Sequence, residues 1–100
     1  MNFKKIKIEY EDGPTYIITY HSQSELHWEN LADGVSTVGE GDETYQLYPL
    51  DQEHALLSWK EVTGITVAQH YDFSQQMIHS FISIPDGDFL HFKGHYNILE

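Results

Sequence analysis

The sequence predicts an all-β fold, a small antiparallel up-and-down β-barrel with about eight strands. Three observations predict it. Apolar and aromatic residues alternate with polar ones at period two in one stretch after another. Turn signals containing Gly, Asp, Ser or Pro separate these stretches roughly every ten residues. No segment carries a helical apolar period over three turns. Closing the sheet into a barrel also removes the free edges that a small protein otherwise has to blunt. About eight strands enclose room for side chains or for one small ligand. A chain of 100 residues makes one domain, residues 1–100.

The most regular stretch is Ala55 to Phe73, which reads as two strands around a Val62-Thr63-Gly64 turn. Leu57, Trp59 and Glu61 alternate with Leu56, Ser58 and Lys60, and Ile65, Val67, Gln69 and Tyr71 alternate with Thr66, Ala68, His70 and Asp72. Such a hairpin needs further strands to be stable. Lys4 to Tyr10 supplies one, with Ile6, Ile8 and Tyr10 inward, followed by the turn Glu11-Asp12-Gly13-Pro14. Lys5 and Lys7 face outward, which suits an outer or edge strand. Thr15 to Ser22 places Tyr16, Ile18 and Tyr20 inward, and Glu25 to Leu31 places Leu26 and Trp28 inward.

Residues 30–43 show almost no periodicity and read as a long loop that Val35 and Val38 could dock. Thr44 to Leu50 is the fourth strand, and Pro49, lacking an N–H, places its end at an edge or a bulge. Met77 to Ile84 carries Ile78, Ser80, Ile82 and Ile84 on one face, and Phe89 to Tyr96 carries Leu90, Phe92, Gly94 and Tyr96. Direct pairing of Ile82 with Phe92 would require a three-residue loop, Asp86-Gly87-Asp88.

Sixteen acids against five bases give a formal charge of −11. That field opposes nucleic acid, which needs a basic stripe. There is no cysteine, which removes disulfides and thiolate chemistry. The N-terminus has no signal-peptide pattern and no apolar run reaches spanning length, so the expectation is a cytoplasmic protein without membrane contact. Seven histidines are present, but metal binding needs three or four convergent ligands. The alternation turns most histidines outward, with His91 and His95 on one strand face and His70 near His79. No metal and no cofactor is expected. Ser58 and Ser80 lack an elbow or triad spacing, and no phosphate-cradling glycine loop occurs.

The blocks EDGPTYIITY, ELHW, GDETY, LLSWKEVTGITVAQHYDF and IPDGDFLHFKG resemble the MoaF-like family of small calycin-type barrels, relatives in shape of lipocalins and phenolic acid decarboxylases. The most specific pieces are SWKE-x-x-G-x-T-V-x-Q/H-x-x-DF and PDG-x-FLHF-x-G, and the resemblance covers nearly the whole chain. It implies a closed barrel with a central cavity and no settled activity. Phenolic acid decarboxylases use tyrosines, an arginine and a glutamate in such a barrel. All five bases here are lysines, so a bidentate clamp on a substrate carboxylate is missing.

The inward polar set is Glu61, Gln69 and Ser80, with Tyr20, Trp28, Tyr45, Trp59, Tyr71 and Tyr96 around it. Aromatic walls with a few polar groups suit a small ring compound. The expected function is a small-molecule binding module for an aromatic or apolar metabolite. One alternative is a decarboxylase- or isomerase-type enzyme, with Glu61 as acid/base and Tyr20 or Tyr45 as hydrogen-bond donor. Another is a structural or interaction protein, monomer or homodimer, pairing through an exposed strand or through the face carrying His79 and Phe81.

Overall fold

The computed structural model describes Met1 and residues 3–100. Its eight strands are β1 Lys5–Tyr10, β2 Thr15–Tyr20, β3 Glu25–Ala32, β4 Ser36–Pro49, β5 His54–Lys60, β6 Thr66–Asp72, β7 Met77–Ser83 and β8 Phe89–Ile98. Each pairs antiparallel with its sequence neighbour, and β1 pairs with β8 to close the barrel. Lys5 and Lys7 therefore lie on a strand paired on both sides, not on an edge. Pro49 sits at the end of β4 opposite Ala55, where that strand pairs with β5 alone, so its missing N–H falls on a local edge as its chemistry suggests. The barrel closes as a whole, but each half of β4 pairs on one side alone, Ser36 to Thr44 with β3 and Tyr45 to Pro49 with β5.

The turns follow their chemistry. The β5–β6 hairpin closes as Glu61 N–H donates to the Ile65 carbonyl at 2.7 Å, which leaves Val62-Thr63-Gly64 as a three-residue loop. Gly64 takes φ 93° there. The β7–β8 hairpin is also three residues long, but it is Pro85-Asp86-Gly87, because Ile84 pairs with Asp88. Ile82 consequently pairs with Leu90, and Phe92 pairs with Ser80. Ile82 and Phe92 still share a face, since an offset of two residues preserves it.

The main departure from the sequence reading is β4. It begins at Ser36, not Thr44, and its first half pairs with β3 through a register shift at Asn30/Leu31. Val35 and Val38 stand in solvent and dock nothing. The inward positions of this arm are Gly39, Gly41 and Glu43, so the inward residues are small or polar and the usual alternation disappears. The Trp28 indole fills the space those glycines leave: a Cβ on Gly41 would lie 3.0 Å from it. Outside, His27 pairs with Asp42 at 2.8 Å and Glu40 at 3.3 Å, and Thr37 donates to Glu29 at 3.1 Å. Cross-strand pairs of this kind hold a weak arm to its neighbour.

The core runs along the barrel axis. Ile6, Ile8, Ile18, Leu26, Leu57 and Ile78 are all fully or almost fully buried. Each such side chain stabilises the fold by about 1.5–3 kcal/mol through burial. One end of the barrel is packed shut by aromatic rings. Phe3 lies 5.4–6.3 Å, centroid to centroid, from Tyr20, Tyr71, Phe73 and Tyr96. The other end, which carries the β1–β2, β3–β4, β5–β6 and β7–β8 loops, is not filled.

Candidate functional site

Alternation decides what faces the interior, but position along the axis decides what lines the space. Toward the open end the barrel holds a cavity of about 220 Å³. Its aromatic walls are Tyr10, Tyr16, Trp28 and Trp59, and its polar groups are Asn30, Glu61, Gln69 and Ser80. Ile18, Ile65, Val67 and Ile82 supply aliphatic surface, and Gly39 leaves room on the β4 side.

The expected site residues divide into two groups. Trp28, Trp59, Glu61, Gln69 and Ser80 come together around this cavity. Tyr20, Tyr45, Tyr71 and Tyr96 do not line it. They belong to the closed end, because the same face parity recurs at both ends of a strand. Tyr71 donates to Gln69 Oε1 at 2.8 Å and receives the Tyr20 hydroxyl at 2.5 Å. Tyr45 donates to the Ser22 carbonyl at 2.6 Å. Neither Tyr20 nor Tyr45 is placed to donate to a substrate held by Glu61, which corrects that part of the enzyme reading. The alternation signalled Tyr10 and Tyr16 as inward without signalling their depth. Asn30 and Gly39 lay in the stretch read as a loop.

Glu61 is half-buried, and its carboxylate accepts from Trp59 Nε1–H at 3.2 Å. Burial pushes its pKa up; the indole hydrogen bond opposes this, and the nearby Glu43 carboxylate adds to the rise. Glu43 in turn accepts from Trp28 Nε1–H at 3.0 Å. Each indole thus carries one carboxylate. Deeper in, Tyr10 and Ser80 share a hydrogen bond of 2.5 Å. Burial pushes the Tyr10 phenol up to about 12, with the Ser80 contact opposing it. Tyr10 therefore stays protonated and is not a base.

A larger hollow, about 990 Å³, is a groove on the outer side of β4–β7, bordered by Gln46, Tyr48, Leu56 and His70. It lacks convergent walls, and a ligand there would stay largely in water. Most of the histidines sit at outward strand positions, as the alternation indicated. His79 Nδ1 and His91 Nε2 are 3.0 Å apart, and the His54 and His70 rings stack at 5.3 Å. Among the described residues no group of three or more His, Asp or Glu converges on a metal position.

With this geometry in view, comparison with known proteins decides the family. A family model described as MoaF-like matches residues 3–97. The chain belongs to the MoaF-like family. Among solved structures it is similar to a candidate beta-lactamase from Burkholderia vietnamiensis, with a TM-score of 0.85 and 20% identity over 96% of this chain and 92% of that one. At that identity the likeness shows the fold alone. No curated protein matches the chain. Among the described residues no helix is long and apolar enough to cross a membrane.

Proposed function

We propose that this MoaF-like chain is a small-molecule binding module that holds an aromatic or apolar metabolite at the open end of its barrel. The cavity of about 220 Å³ walled by Trp28, Trp59, Tyr10 and Tyr16 is the observation that carries this reading. Concave, mainly apolar walls with a few fixed polar groups are what such ligands require. The proposal includes a cytoplasmic protein, a monomer or homodimer, without nucleic-acid or membrane partners. Both tryptophans of the chain line the cavity, so a ligand should change the intrinsic fluorescence and raise the melting temperature. A broad screen of ring metabolites that moves neither would refute it.

A second reading, an acid/base enzyme centred on Glu61, is favoured by the raised pKa of that carboxyl. The neighbouring phenol is then Tyr16, whose own pKa is raised by burial and by Glu61. Turnover of a bound ring acid or carbonyl that disappears in Glu61→Gln would support it; unchanged turnover would reject it. The beta-lactamase name of the solved relative is not carried over. Ser80, the serine in the cavity wall, is engaged by a protonated Tyr10, and no lysine or histidine lines the cavity as a base.

A further inference from the structure

The cavity's electrostatics are one-sided. Its lining contains no lysine, arginine or histidine, and Glu61 is its one charged group. The hydrogen-bonded ladder between β4 and β5 ends at Tyr45–Trp59. Continuing that register by two residues brings Glu43 opposite Glu61, at the seam where β4 has parted from β5 and runs on beside β3 alone. The two carboxylates are close enough for Glu43 to raise the Glu61 pKa. Each uses one oxygen on an indole N–H, from Trp28 or Trp59. None of the ion pairs among the described residues involves either carboxylate. Glu61 in the cavity lining and Glu43 beside it, each fixed to an aromatic ring of that lining and neither in an ion pair among the described residues, form a complement to a cation. Aromatic faces beside them add attraction for the same sign of charge.

We propose that the cavity selects an organic cation, a substituted ammonium whose charge lies between Glu43 and Glu61 and whose apolar part enters among Trp28, Trp59 and Tyr16. The proposal rests on the binding-module reading and narrows it to one charge class. The chain's charge of −11 acts in the same direction, raising the local concentration of cations and repelling anionic metabolites.

Three ring compounds of similar size separate the possibilities: benzyltrimethylammonium, benzyl alcohol and benzoate, titrated against tryptophan fluorescence. The cation should bind at least about tenfold more tightly than the alcohol, with benzoate weakest. Because its charge is permanent, its affinity should strengthen as pH rises through the Glu61 titration and weaken with salt. In Glu43→Gln/Glu61→Gln the cation's advantage should vanish, so that it binds no more tightly than the alcohol. The single variants, each checked by thermal melting, give the same reading at partial amplitude if the double variant does not fold. An alcohol that binds as well as the cation, or a preference that survives both substitutions, overturns the charge assignment and leaves the cavity reading standing. Failure of all three compounds to bind overturns both.

Discussion

Tyr71 is the residue on which the closed end depends. It is fully buried, donates to Gln69 and accepts from Tyr20, so its hydroxyl joins two other interior polar groups. Tyr71→Phe keeps the ring and strips both partners. Buried groups left unpaired cost about 1–3 kcal/mol, and chemical unfolding should show a loss in that range with an unchanged denaturant slope. A loss below about 0.5 kcal/mol, typical of surface changes, would mean that Tyr20 and Gln69 find other partners. Glu61 has the opposite character. Its folded pKa lies above its unfolded value, so the folded state holds that proton more tightly. The resulting stability is full below the ordinary carboxyl range and is lost as pH rises through the folded value. Glu61→Gln cannot ionise and its amide oxygen can still accept from Trp59. Its melting temperature should exceed that of the parent more at about pH 7 than at about pH 4. An equal difference at both pH values would contradict the assigned burial.

At the scale of the element, β4 explains what a sequence pattern can conceal. Seven strands and the second half of β4 were legible because most of their inward residues are large and apolar or aromatic, as in Ile6-x-Ile8 and Leu57-x-Trp59. The first half of β4 was not, because its inward positions are Gly39 and Gly41 and the apolar group that fills the space, Trp28, belongs to β3. Two substitutions test this. Alanine at Gly41 puts a Cβ 3.0 Å from the indole and should shift the Trp28 emission, whereas alanine at Gly39, with 3.9 Å of clearance, should not. Identical spectra for the two variants would contradict the packing described. Gly94 has a different task, because it lets β8 close against β1. A Cβ there would meet the Glu9 carbonyl oxygen at 2.5 Å and Tyr10 Cα at 2.9 Å, and backbone cannot move aside as a side chain can. Gly94→Ala should destabilise by at least the roughly 1–3 kcal/mol of an overpacked core. Denaturant melts that match the parent would show that the closure is looser than described.

For the molecule as a whole, alternation along the chain predicted inward and outward faces but not depth. Tyr16 and Tyr20 share a strand face, yet one walls the cavity and the other helps to shut the opposite end. Depth depends on strand tilt and on the stagger around the barrel, which are set by all the pairings together. That is why Trp28, Trp59, Glu61, Gln69 and Ser80 could be grouped from the sequence, while four tyrosines of the same parity belong elsewhere. The central claim, that the open end is the binding site, has a direct readout. The two tryptophans give two indole N–H signals in a nitrogen–proton correlation spectrum, and both indoles border the cavity. On titration with benzyltrimethylammonium or benzyl alcohol, both indole signals should move together with the amides of Ile65 and Ile82. Shifts confined to Leu56, His70 and Phe81 on the outer groove, with both indole signals unmoved, would contradict the account.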